Sequence, residues 1–220
     1  MDEVLIRGYN QADRNSLRDI ACNSAFMGKP CEEFFEGRDV FADFLTLYFT
    51  DYEPQSCFVA EVDKKIVGYI IGAKNSNHIA KTFLFKILPG LLKKIILQKT
   101  LLKKKNLKFL ISLTLSFLKG ELKMEDFSKC YPATLHINIA DGFRNSGIGS
   151  KLMSRFFDYL AENNIPGVYL GTLSQKAAIF FQKQGFSLLH KGERSYFRHI
   201  LGKDVPFFCY GKRLRPEGPD

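Results

Sequence analysis

From Gly142 to Leu160 the chain reads GFRNSGIGSKLMSRFFDYL, with Arg144, Gly147 and Gly149 spaced as R-x-x-G-x-G. Glycines at this spacing take away side chains where a ligand must come close to the backbone. Where they open a helix, the free N–H groups of the first turn and the positive end of the helix dipole suit an anion. The chemistry on offer is phosphate binding, along Arg144, Asn145, Ser146, Gly147, Ile148, Gly149 and Ser150. Two familiar phosphate loops do not fit. A dinucleotide fingerprint has its glycines in a different order and lies at the first strand-to-helix turn. A Walker loop needs Lys then Ser or Thr after the second glycine, where this chain has Gly149-Ser150-Lys151.

Such a string also arises by chance, so the flanking elements decide. Upstream, TLHINIA (Thr134–Ala140) alternates, with Leu135, Ile137 and Ile139 on one face and His136 and Asn138 on the other, as a strand does. Downstream, Ile148, Leu152, Phe156 and Leu160 recur every fourth residue, which predicts an amphipathic helix closed by Asn163-Asn164 and Pro166-Gly167. The glycines thus sit where a strand feeds a helix.

On these residues the chain resembles the GCN5-related N-acetyltransferase (GNAT) family, whose acetyl-CoA pyrophosphate loop has the pattern Q/R-x-x-G-x-G/A. The resemblance runs further. VYLGT (Val168–Thr172) reads as the next strand, and AAIFFQKQGF (Ala177–Phe186) is similar to the family's A-I-x-F-Y-x-x-x-G-F helix and turn. Val4–Arg7, then FVAEVDKKIVGYIIG (Phe58–Gly72) folded at Asp63-Lys64, supply the first three strands, and PFFCYGKRL (Pro206–Leu214) the last. Helices are expected over Gln11–Phe26 and Cys31–Phe49, where the family builds one side of its acceptor site. The implied fold is α/β: a mixed, mostly antiparallel twisted sheet flanked by helices, one domain over residues 1–220. A segment near PATLHINI and GVYLGTLSQ also looks like the acetyltransferase-like domain attached to some O-GlcNAc hydrolases.

The resemblance implies acetyl-CoA as cosubstrate and a primary amine as acceptor. Acyl transfer of that kind needs a base for the ammonium proton, a donor that polarises the thioester carbonyl and an acid for the thiolate. The family takes the polarising donor from backbone N–H groups in the strand before the loop, here Ile137, Asn138 and Ile139. His136 is the nearest base by type, since an ordinary histidine titrates near neutrality. It reads equally as a structural histidine, and which face meets the acceptor depends on whether a bulge interrupts the strand. The chain departs from the family at the acid: the family's tyrosine falls on Phe181, which has no hydroxyl but could pack on the pantetheine arm. Tyr196, in GERSYFRHI, is the substitute donor, against a plain packing role. The family's asparagine before this helix is Gln175, which keeps an amide. A non-catalytic acyl-CoA-binding module is therefore the rival to an active acetyltransferase.

Composition agrees with a globular domain, with 45% hydrophobic and 25% charged residues. Five scattered cysteines without a C-x-x-C pair point to neither a disulfide framework nor a metal site. Met1-Asp2-Glu3 is acidic with no apolar run after it, so no secretory leader and a cytoplasmic protein are expected.

Residues 78–129 stand apart, a long insertion where the family joins its third and fourth strands by a short turn. The chain has 32 basic and 23 acidic residues, of which 12 lysines and three acids lie here, leaving 20 of each sign elsewhere. All of the +9 excess sits in the insertion. Leu, Ile and Phe are too abundant for a solvated linker. Leu84, Leu88, Leu91, Ile95 and Leu102 trace one helical stripe, interrupted or restarted at Pro89-Gly90. Leu107, Leu110, Ile111, Leu115 and Leu118 trace another, ended by Gly120. Three roles stay open: a packed subdomain or homodimer contact, a peripheral element on an anionic membrane surface, and an acidic partner. Nucleic acid is the weakest of these, because arginines and interleaved aromatics are lacking.

Overall fold

The computed structural model describes residues 3–214. Its strands are β1 (Leu5–Gly8), β2 (Cys57–Val62), β3 (Lys65–Ala73), β4 (Ala133–Ile139), β5 (Gly167–Thr172), β6 (Ser187–Arg194) and β7 (Val205–Arg213). They form one sheet in the order β1-β2-β3-β4-β5-β7-β6, in which every neighbouring pair is antiparallel except β4 and β5. The turn at Asp63 and Lys64, both with positive φ (49° and 62°), has the hand that matches strand twist and sets the register of β2 on β3.

The helices are α1 (Arg14–Ser24), α2 (Arg38–Tyr52), α3 (Ser76–Thr82), α4 (Leu88–Leu97), α5 (Lys104–Leu118), α6 (Ile148–Glu162), α7 (Gln175–Lys183) and the short α8 (Arg198–Leu201). Strand alternation divides the core in two. Tyr69 and Ile71 of β3 look toward α1 and α2, where Leu17, Ile20 and Phe49 are buried. Ile70, Leu135 and Val168 look the other way, onto Leu152, Phe156 and Leu160 of α6. Each face of the sheet is thereby covered, as a mixed sheet requires.

One expectation needs correction. The helix read over Cys31–Phe49 is not continuous: a 3-10 turn at Cys31–Glu33 is followed by a break, and α2 begins only at Arg38. Gly37, with φ +148°, takes a backbone conformation that no helix contains. SLLHKGER, for which the sequence sets no expectation, forms the edge strand β6. Its alternation is masked because it pairs with β7 alone and stays largely exposed.

The insertion is helical, as expected. A wide turn over Phe83–Ile87 links α3 to α4, so Pro89 falls in the first turn of α4, where a missing N–H costs no bond. Leu91 of α4 is buried in the α1–α2 core, and Lys94 pairs with Asp43 of α2. α5 is fastened by a polar residue. Asn106 is fully buried, accepts from Glu36 N (2.6 Å) and donates to Glu36 O (2.6 Å) and Thr100 O (2.8 Å). Asn106→Ala leaves those buried backbone groups unpaired and lowers stability by about 2–4 kcal/mol. Urea denaturation of the variant measures it.

Candidate active site

The site begins where β4 parts from β5. The two strands pair only at Ala133↔Val168 and Thr134↔Tyr169, while β4 stays paired with β3 out to Gly68↔Ile139. A gap therefore opens beside residues 135–139. The direction of their backbone groups follows from parity. Ala140 N–H donates to Val67 O (2.8 Å), so in an antiparallel ladder Asn138 and His136 also bond toward β3. Leu135 N–H closes the last bond to β5, at Tyr169 O, and beyond it the N–H and C=O groups of Ile137 and Ile139 turn to the gap, where no strand meets them. These are polarising donors of the kind acyl transfer needs.

The register of β3 on β4 runs without a bulge from Ala73↔Thr134 to Gly68↔Ile139. His136 and Asn138 consequently share the α1–α2 side of the sheet, and Ile137 and Ile139 pack on the α6 side. Asn138 donates Nδ2 to the hydroxyl of the buried Tyr69 (2.7 Å). The His136 ring meets Phe49 of α2 edge to face at 5.8 Å and has no hydrogen bond among the described residues. Its surface is open to water, yet protein crowds the cleft around it, and that desolvation pushes its pKa below the ordinary histidine value. The neutral imidazole, able to accept a proton, is thus favoured. Two buried carboxylates on the α2 side of the sheet are engaged elsewhere: Asp43 by Arg18 and Lys94, and Glu53 by Tyr48 Oη (3.1 Å) and Lys74 N (2.7 Å).

At the end of β4 the loop turns into α6. Residues 141–147 are all exposed, with Asn145 (φ +65°) and Gly147 (φ +82°) in the left-handed region. Gly147 is the N-cap of α6 and no side chain caps that terminus. A Cβ on Gly147 would meet nothing within 4 Å, so open space lies before the first-turn N–H groups. Those donors, uncapped and facing space, fit a pyrophosphate. Arg144 is braced across the loop, donating Nε to Ile139 O (3.2 Å) and a terminal nitrogen to Gly28 O (3.4 Å), with Asp141 at 3.6 Å. The contact to Gly28, in the turn after α1, brings together residues 116 apart in sequence.

Across the gap, β5 leads into α7. Gln175 is its exposed first residue, and Ser174 Oγ accepts from Ala177 N (3.3 Å) as the cap. α7 sits beside the start of α6, where Gln184 Nε2 donates to Ser150 Oγ (3.0 Å) and a Cβ on Gly149 would lie 3.2 Å from the Phe180 ring. Phe181 is buried among Phe180 and Phe186, so Phe180 is the ring nearest the loop. Sequence spacing could not tell these two rings apart. Tyr196, in the turn before α8, packs on Phe109 and Phe197 (ring centres 6.2 and 4.6 Å), and burial pushes its hydroxyl up to about 12. None of its ring contacts is with β4 or β5. A groove of about 460 Å³ lies elsewhere, between α1, α2 and α4, but its charges answer one another (Arg18 and Lys94 with Asp43) and no backbone donor row faces it.

Residues 121–186 match the sequence model of the acetyltransferase (GNAT) family. No curated protein is similar in sequence to the chain. Among solved structures, SsHAT is similar at 19% identity with a TM-score of 0.69, over 97% of this chain and 100% of that one. The polyamine N-acetyltransferase of Drosophila melanogaster, described as forming N-acetylagmatine, is similar at 15% identity and TM-score 0.63, over 96% and 100%. A putative acetyltransferase from Salmonella typhimurium, solved with acetyl-CoA, is similar at 14% identity and TM-score 0.57, over 99% and 98%. At these identities the shared property is the fold.

Proposed function

We propose that this chain, whose residues 121–186 match the GNAT acetyltransferase model and whose sheet has the fold of its GNAT neighbours, moves an acetyl group from acetyl-CoA directly to a primary amine. The observation that carries the reading is the parting of β4 from β5 beside the uncapped start of α6. The gap supplies a place for an extended thioester arm, and the helix terminus a place for its pyrophosphate. Acetyl-CoA brings the activated acyl group; the residues named here bind, orient and move protons. The loop Arg144–Ser150 holds the phosphates through backbone N–H groups. Ile137 and Ile139 N–H face the thioester carbonyl, with Asn138 fixing the strand through Tyr69. His136, neutral and without a hydrogen bond, takes the ammonium proton. Gln175 and Phe180 support the arm from α7, with the buried Phe181 packed behind Phe180. Tyr196, the donor by residue type, packs on Phe109 and Phe197 away from β4 and β5, so the departing thiolate takes its proton from water.

One observation favours a second reading, an acyl-CoA-binding module without turnover. Phe181 stands where the family has its tyrosine and is 5% exposed, so no hydroxyl replaces the missing acid at that position. Under either reading residues 78–129 form an accessory element that mediates association and takes no part in the transfer. Thiol release from acetyl-CoA, followed across polyamines, amino sugars and peptide N-termini, distinguishes the two. Turnover on one amine class supports the enzyme. Tight acetyl-CoA binding without thiol release on any amine supports the module.

A further inference from the structure

Helix α5 is oriented against its own composition. The residues it buries most deeply are polar, Asn106 and Ser116. Leu107, Ile111, Leu115 and Leu118, spaced four, four and three apart and so on one face, are 52, 51, 51 and 73% exposed. α4 shows the same division: Leu91 is buried, while Leu92 and Ile96 are 47 and 71% exposed. Both helices turn their inner sides to the segment 34–49, α5 through Phe109 on Phe34 and Phe35, α4 through Leu91 and the Lys94–Asp43 pair. Their aliphatic faces look away from it. Among the described residues, thirteen of the twenty exposed large hydrophobic ones belong to the insertion, far more than chance scatter gives a soluble surface.

The same segment carries the whole +9 excess charge. Lys93, Lys99, Lys104 and Lys108 are exposed and have no ion-pair partner among the described residues. We propose that α4 and α5 dock this protein onto an anionic lipid bilayer, the aliphatic faces entering the acyl boundary and the lysines pairing with headgroup phosphates. The inference rests on the reading of 78–129 as an association element and is independent of acetyl transfer. Charge chooses the occupant. A two-fold contact between copies would set two cation-rich faces against each other, which like-charge repulsion opposes. A nucleic acid would satisfy the lysines but leave the aliphatic stripe in water. A bilayer with acidic lipids answers both. No described helix is long and apolar enough to cross it, so the helices lie in the interface.

Co-sedimentation of the full chain with phosphatidylcholine vesicles, and with vesicles containing phosphatidylglycerol, tests the proposal. The protein is expected on the anionic vesicles and in the supernatant of the neutral ones. Raising salt from about 0.1 M to about 1 M shortens the screening length from about 10 Å to about 3 Å and weakens binding without abolishing it. K93E/K99E/K104E/K108E lowers partitioning by on the order of 10³-fold. L107Q/I111Q/L115Q/L118Q, all at outward positions, removes the salt-resistant part. Circular dichroism and unchanged acetyl-CoA affinity establish that both variants are folded. Equal binding to the two vesicle types, or to neither, overturns the proposal, and this comparison needs no variant. So does a salt-independent dimer in light scattering that ignores vesicles and separates in the glutamine variant. In each of those cases acetyl transfer, measured separately, is untouched.

Discussion

Aspartate in place of Gly147 weakens acetyl-CoA binding by at least about 10²-fold while the protein stays folded. Gly147 caps α6 with φ +82°, and a side chain there points into open space, so nothing in the protein resists the change sterically. Aspartate tolerates the left-handed region better than most residues, and a carboxylate at a helix N-terminus is favourable for the helix. The same carboxylate occupies the space before the first-turn N–H groups and repels a phosphate. Two or three charge-assisted hydrogen bonds, each worth about 1.5–3 kcal/mol, are thereby forfeited. Gly149→Val adds to the loss by pressing on the Phe180 ring, 3.2 Å from the new Cβ. Calorimetry with acetyl-CoA reads the affinity, and thermal melting reads the fold. A folded G147D variant with wild-type affinity would move the phosphate site away from α6.

His136→Ala lowers kcat by on the order of 10²–10⁴-fold and leaves the acetyl-CoA affinity unchanged. The split follows from position, since His136 projects from the face of β4 toward α2 and the cofactor loop lies past the strand's end. Crowding depresses the pKa of His136, so protonation of this base cuts activity only below the ordinary value of 6.5. The acidic limb of the kcat profile therefore falls below that value in the wild type and vanishes in the variant. Stability carries the same sign. Above 6.5 both the folded and unfolded chains hold a neutral imidazole. As pH drops from there, the unfolded chain takes up a proton that the fold resists, and stability is lost. Near-wild-type turnover of a folded H136A protein at neutral pH would transfer the role to water.

Much of this site is written in local sequence. The alternation of TLHINIA, the four-residue recurrence from Ile148 to Leu160 and the glycines between them are periodicities of a single element, and each formed within a residue or two of where it was read. The turn at Asp63-Lys64 is equally local, because its backbone angles are set by the two residues themselves. The helical character of the insertion and its charge are also properties of composition and spacing. Alternation put His136 and Asn138 on a common face, but only the unbroken register against β3 decided that this face looks to α2.

What the sequence left open depends on contacts between distant residues. The gap beside Ile137 and Ile139 exists because pairing with β5 stops at Thr134↔Tyr169, and nothing in either strand's own residues marks that limit. Arg144 meets Gly28 across 116 positions, and the Phe181 ring is drawn inward while Phe180 lies against the loop. SLLHKGER became a strand because β7 offered it an edge, not because its own alternation is strong. The stripe on α5 is the clearest case. Its spacing marks an apolar face, yet Asn106 finds three partners in Glu36 and Thr100, and Phe109 joins the aromatic cluster around Phe34. Those contacts fix the helix's rotation and turn the leucines outward. A periodic sequence specifies that a helix has two faces; which face is buried is settled by the partners that folding brings to it.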